Sequence, residues 1–231
     1  MSGSSAGAAI MSDPMIAGGS SEEALRWGVT SREEGEGVWL TEGLGFLESG
    51  LVDQHFLARG RWARLLVGIL GLERDRFGLG IDENTALVVE GDSAWVVGES
   101  GVLILDARVA TTEDGGTGGY GVRLHLLGAG DRLNMRTGAV RPDPEKVGVP
   151  QGDEPFADSD ADLFAPWSLL SVLFELATAP DARLTFHQGG QFLEIRKEPG
   201  FTALAPVGPN NRTPPAGLFL GPFVLSAWAE G

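Results

Sequence analysis

Gly3-Ser4-Ser5-Ala6-Gly7, followed by the small apolar run Ala8-Ala9-Ile10-Met11, is the stretch that decides the fold class. It reads as a nucleophile elbow, a serine on a tight turn that opens a helix. Small residues on both sides let the backbone turn sharply and expose the Ser5 hydroxyl. The helix start places free N–H groups and partial positive charge beside it, and the Ala6 N–H is the natural first donor of an oxyanion hole. The same composition also occurs in floppy termini, so the reading depends on what answers it downstream.

The downstream chain is that of a folded protein. Its 231 residues are 42% hydrophobic, enough for a core, and its 35 glycines predict many turns and close backbone approaches. A net charge of −15 with no basic stripe argues against nucleic acid as the main partner. Cysteine is absent, and the three histidines, His55, His125 and His187, have no metal-ligand spacing, so neither a metal nor a cofactor is expected. No stretch is long enough to span a bilayer and no signal peptide is visible, which gives a cytoplasmic protein without a membrane partner as the expectation.

After the elbow, a short helix is expected to stop near Asp13-Pro14. Residues 20–27 suit a surface loop or short helix, and Val38-Trp39-Leu40 and Leu44-Gly45-Phe46-Leu47 resemble short strands. Trp62, Leu65, Leu66, Ile69 and Leu70 fall at helical spacing. Phe77 to Val89 reads as a buried strand interrupted by polar residues. A meander through Ala94–Val97 and Val102–Leu105 and an alternating strand over residues 121–127 follow. Residues 138–163 hold four prolines and seven acidic residues and read as a mobile linker. Beyond it come a helix over residues 167–177 and a hairpin around Gln188-Gly189-Gly190.

A serine nucleophile needs a base, and histidine titrates nearest neutral pH. His125 and His187 lie in alternating strand patterns and read as structural. His55 follows Asp53 and Gln54 in a loop between a strand-like piece and a helix, where catalytic groups gather. The imidazole must be held in one tautomer by an acceptor. Glu83, inside an apolar run, is an unusual carboxylate, but Asp82 is its neighbour on the opposite strand face. The residues alone leave open which of the two holds the histidine.

Several segments together, in order, resemble cyanophycinase, a serine-type exopeptidase related to dipeptidase E. They are Ser4-Ser5-Ala6-Gly7-Ala8, Met11 to Ile16, Leu44 to Leu47, Asp53-Gln54-His55-Phe56 with Arg59, Arg61 and Arg64, and Gly80 to Ala86, covering roughly residues 1–130. The resemblance implies a Ser5–His55–Glu83 triad with Ala6 in the oxyanion hole. It also implies a substrate pocket of Asp53, Gln54, Arg59, Arg61 and Arg64, whose guanidinium forks suit carboxylates. The implied fold is α/β, part of a three-layer sandwich with a mostly parallel sheet. The implied substrate is cyanophycin (multi-L-arginyl-poly-L-aspartate), released as β-Asp-Arg dipeptides, and the implied assembly is a homodimer.

The expected organisation is a catalytic domain over residues 1–137, the linker 138–163 and a β-rich C-terminal extension 164–231. Family members carry strands ahead of the nucleophile, whereas here the serine is the fifth residue. The expectation is that those strands and the second oxyanion donor are missing, so that turnover by the chain alone is weak and a complementing chain supplies them. The rival readings are an aspartyl dipeptidase, a non-catalytic binding protein and an inactive fragment of the same family.

Overall fold

Alternate residues of the segment Phe77-Gly78-Leu79-Gly80 face opposite ways, and that alternation builds the middle of the fold. In the computed structural model, which describes residues 1–33, 35–72, 77–112, 118–153, 162–181, 183–188, 190–207 and 214–229, this segment lies in strand β5 (Phe77–Ile81). Phe77 and Leu79 enter one apolar cluster. On the other face a Cβ at Gly78 would stand 3.0 Å from the Leu65 side chain, and one at Gly80 would stand 2.4 Å from the Phe56 ring. Glycine there lets the ring of Phe56 and the side chain of Leu65 press directly on the strand backbone.

The chain begins with helix α1 (Ala6–Ala9), strand β1 (Met15–Gly18), helix α2 (Ser21–Trp27) and strands β2 (Val29–Thr30), β3 (Val38–Thr41) and β4 (Leu51–Gln54). A one-turn 3₁₀ helix (Leu57–Arg59) leads into α3 (Trp62–Leu70). After β5 come β6 (Thr85–Glu90), β7 (Ser93–Gly98), β8 (Gly101–Asp106), β9 (Thr111–Thr112) and β10 (Gly119–Gly128). Then follow β11 (Arg132–Asn134), β12 (Val140–Arg141), β13 (Val147–Gly148), helix α4 (Ser168–Thr178), and strands β14 (Arg183–Gln188), β15 (Gln191–Ala205) and β16 (Phe219–Ala229).

Among the described residues the large sheet runs β13-β15-β16-β10-β8-β5-β4, with β14 paired to β15 and β9 to β10. One smaller sheet is β1-β3-β2 and the other β12-β11-β7-β6. Among the described strand pairs, β4–β5 and β2–β3 are parallel and the others antiparallel. The protein is mixed α/β, but the expectation of a mostly parallel sheet is corrected. Parallel strands need long crossovers, and the two-residue turn at 91–92 between β6 and β7 allows antiparallel pairing alone.

Apolar side chains collect on both faces of the large sheet. Leu103 and Leu105 of β8, with Val122, Leu124 and Leu126 of β10, meet residues of α2, α3 and α4. Val102, Ile104 and Leu127 face the other way, toward Ala94, Val96, Leu133 and Met135. All nine residues of α3 are buried, so this helix is enclosed rather than amphipathic. Helix α2 has a capping box in which Ser20 and Glu23 satisfy each other's backbone N–H groups.

Strand β16 was not anticipated. Its sequence follows a proline- and glycine-rich segment, yet it sits between β15 and β10 in the interior of the sheet. At its outer end the stack His187–Phe192–Trp228–Tyr120 crosses four strands with centroid spacings of 4.4, 5.5 and 5.7 Å. Leu44–Leu47, expected as a strand, is an irregular segment in which the Leu44 and Leu47 N–H groups donate to Ile10 and Met11 carbonyls. The polar interruption at 82–84 divides the expected strand 77–89 into β5 and β6.

The described part of the expected linker is built into the fold. β12 pairs with β11 and β13 with β15. Lys146 forms a buried ion pair with Asp131 at 2.6 Å, while Asp131 also accepts the Gly128 and Asp143 N–H groups. Burial raises the Asp131 pKa and lowers that of Lys146. Residues 154–161, Gly189 and most of the glycine-rich turn 114–119 lie outside the described residues. Among the described residues no helix is long and apolar enough to cross a membrane.

His125 is buried on β10, and burial, followed by the nearby Arg123 charge, pushes its pKa down to about 4 against the opposing pull of Glu198 and Asp106. The folded state resists protonation that the unfolded chain accepts near pH 6.5. The penalty is therefore absent above that pH and grows as pH falls toward 4, reaching about 3 kcal/mol. Urea unfolding at pH 7 and pH 4 should show a pH-dependent loss that is smaller by about this amount in His125→Gln. Equal losses in both proteins would remove His125 as the source.

Candidate active site

Ser5 precedes α1 with φ 53° and ψ −122°, a conformation costly for a residue with a side chain. The turn closes tightly, because a Cβ at Gly3 would stand 1.8 Å from the Gly7 carbonyl oxygen. The Ser5 hydroxyl makes no capping bond to its own helix; it lies 3.0 Å from His55 Nε2. Helix α1 has only one turn, so its dipole is small, but the Ala6 N–H stands in the first helical position, where no intrahelical acceptor exists. α1 is fastened to β4 through buried Ser12, whose hydroxyl donates to the Ala9 carbonyl and accepts the Val52 N–H.

His55 and Glu83 follow the C-terminal ends of the adjacent parallel strands β4 and β5, where α/β sheets place their sites. The ladder continues one step past β4, with the Phe56 N–H donating to the Ile81 carbonyl. His55 holds φ 47°, and buried Phe56 beside it is pressed onto Gly80. His55 Nδ1 lies 2.8 Å from Glu83 Oε1. A carboxylate at Nδ1 favours the tautomer with the proton there, leaving Nε2 as an acceptor for the Ser5 hydroxyl. The structure thus brings Ser5, His55 and Glu83 into one hydrogen-bonded row, open to solvent at both ends.

Glu83 is not the buried carboxylate that the apolar context suggested. It is half exposed in the β5–β6 turn, and Asp82 is the buried one. Asp82 accepts the Ala58 N–H at 3.1 Å and the Ser100 hydroxyl at 2.6 Å, tying the segment after His55 to the β7–β8 turn. The two neighbours therefore divide into a support and a histidine partner. Asp82→Asn should lower stability by roughly 1–2 kcal/mol through a lost acceptor. Glu83→Gln should leave the melting temperature nearly unchanged and lower kcat about 10²-fold. Thermal melts alongside turnover check this, and the reverse ranking in turnover would move the orienting role to Asp82.

The residues implied as a substrate pocket range from fully buried to exposed. Asp53 and Arg64 are buried against each other, with Arg64 Nε donating to Asp53 Oδ2 at 2.7 Å and Nη2 to Oδ1 at 2.5 Å. Arg64 Nη1 donates to the Gly19 carbonyl. This pair has no free fork for a ligand. It braces β4 against α3 beneath His55. Arg61 is half-buried and donates to the Gln54 carbonyl at 2.6 Å. Burial, then Arg64, pushes its pKa down to about 10, with Asp53 opposing and Arg59 adding to the fall, so it stays charged at neutral pH. Asp53 bonds Arg64 directly and stands 3.9 Å from Arg61, so with exposed Arg59 the three arginines carry more positive charge than this one carboxylate offsets, a surplus suited to an anion. Gln54 Oε1 is buried with no hydrogen-bond partner among the described residues. No three histidine, cysteine, aspartate or glutamate side chains among the described residues gather as a metal-ligand set.

No protein-family model matches the chain. Cyanophycinases do match it. That of Geminocystis herdmanii is 39% identical over 145 residues, 59% of this chain and 50% of that protein. That of Thermosynechococcus vestitus is 40% identical over 149 residues, 61% and 44% of the two chains. That of Trichormus variabilis is 36% identical over 156 residues, 64% and 49% of the two chains. The chain thus spans about half the length of the curated relatives it matches.

Proposed function

We propose that this cyanophycinase-like chain carries the reaction centre of a serine-type exopeptidase that cleaves cyanophycin to β-Asp-Arg dipeptides. The observation that carries the reading is the row Ser5 Oγ–His55 Nε2 at 3.0 Å and His55 Nδ1–Glu83 Oε1 at 2.8 Å. In this reading His55 Nε2 takes the Ser5 proton as Oγ attacks the carbonyl of a backbone amide. Glu83 holds the tautomer and stabilises the imidazolium that forms. The strained turn at Ser5 acts as the elbow, and the Ala6 N–H faces the developing oxyanion. His55 then gives its proton to the leaving amine, and water activated by His55 releases the acyl group from Ser5.

Arg61 and Arg59 supply positive charge for substrate carboxylates, while Asp53 and Arg64 hold β4 and α3 in place below. The test is incubation of the purified chain with insoluble cyanophycin and chromatographic detection of β-Asp-Arg. Release of the dipeptide supports the reading. Cleavage of simple aspartyl dipeptides with no action on the polymer would replace it with a dipeptidase.

A further inference from the structure

A cleft of about 430 Å³ opens beside Glu83, the carboxylate that bonds His55. Its walls come from distant parts of the chain: the 83–84 turn, Glu99 to Gly101 before β8, Trp167 at the start of α4, and Pro214 to Leu218 before β16. Trp167 is held there by three connections. Its backbone sits at φ 64°, its N–H donates to the Leu57 carbonyl at 2.8 Å, and the preceding segment is anchored by the Trp62 indole donating to the Leu163 carbonyl and stacking on Phe164. The 3₁₀ turn that follows His55 is therefore clamped directly to the wall of this cleft.

The charge of the cleft is one-sided. Glu83 and Glu99 line it, and none of its described lining residues is lysine or arginine. Glu99 is exposed and has no cationic partner among the described residues. Trp167 lines the cleft and is 40% exposed, and an accessible indole is a surface on which a planar cation stacks. A guanidinium fits all three features: it pairs with carboxylates, stacks on an indole and is weakly hydrated.

We propose that this cleft is a specificity pocket for a guanidinium side chain of the substrate, with Glu99 as its counter-ion and Trp167 as its stacking surface. The proposal rests on the exopeptidase reading. It adds that the segments at 163–171 and 214–218 select the side chain while α1, β4 and β5 perform the chemistry.

The experiment compares β-Asp-Arg-bearing oligomers with the same oligomers carrying citrulline, which keeps the shape and removes the charge. The unmodified protein should favour the arginine substrate at least tenfold in kcat/KM. Glu99→Gln should remove most of that preference through KM, and Trp167→Ala should weaken it about tenfold. Equal kcat/KM for the two substrates, or an undiminished preference in both variants, overturns the pocket and leaves the hydrolase reading intact. If neither substrate is cleaved, calorimetric titration with β-Asp-Arg and β-Asp-citrulline separates the two claims. Arginine-selective binding lost in Glu99→Gln upholds the pocket without the hydrolase, and charge-blind or absent binding overturns both.

Discussion

Ser5→Ala is expected to lower kcat for β-Asp-Arg release by about 10⁴-fold or more, and His55→Ala by a similar factor. The two groups act as one unit: without Nε2 the hydroxyl keeps its proton, and without Oγ the base has nothing to activate. The double variant should therefore be scarcely slower than either single one. Ser5 is exposed and its hydroxyl has His55 as its partner, so its removal should leave the melting temperature within about 1 °C. A fluorophosphonate probe gives a second readout that does not depend on polymer turnover. It should label the unmodified protein at Ser5, and labelling should vanish in Ser5→Ala and fall sharply in His55→Ala. Turnover retained by either variant would remove the row from the mechanism.

Arg64→Met should be the most destabilising of the arginine substitutions, by about 3–5 kcal/mol, a fall in melting temperature on the order of 10 °C. It would strand the Asp53 carboxylate, which is fully buried, and leave the Gly19 carbonyl without its donor. The double variant Asp53→Leu/Arg64→Met removes both charges and should recover much of the loss, since an apolar pair of similar size avoids desolvating two ions. Arg59→Met, at an exposed position, should change stability little and act on KM instead. If Arg64→Met melted normally and raised KM, Arg64 would be a substrate contact, as the family resemblance implies.

The hydrogen-bonded row was only partly legible in the sequence. Ser5 stands out as a small-residue turn, His55 as a loop histidine between strand and helix, and the pair Asp82-Glu83 as carboxylates inside an apolar run. Each of these signals is local. The roles of Asp82 and Glu83 were not legible, because strand alternation separates two adjacent carboxylates without saying which face is buried; that depends on Ala58 and Ser100 arriving from elsewhere. The arginine cluster was illegible for a similar reason. Three arginines within six residues look alike in sequence, and only packing shows that Arg64 meets Asp53 through two hydrogen bonds, that Arg61 stands 3.9 Å from it and that Arg59 is exposed.

Local chemistry by itself determined the tight turn at Ser5, the helix at 62–70 and the meander of short strands, since these depend on neighbours within a few residues. Only the tertiary structure decided the antiparallel character of the sheet, the interior place of β16 and the incorporation of residues 140–149. It alone set Trp167 beside Glu83, 84 positions away in sequence. The physical reason is the same in each case. Strand neighbours and cleft walls are chosen by which distant apolar faces must be buried together, and a sequence pattern records that a face is apolar without recording what covers it.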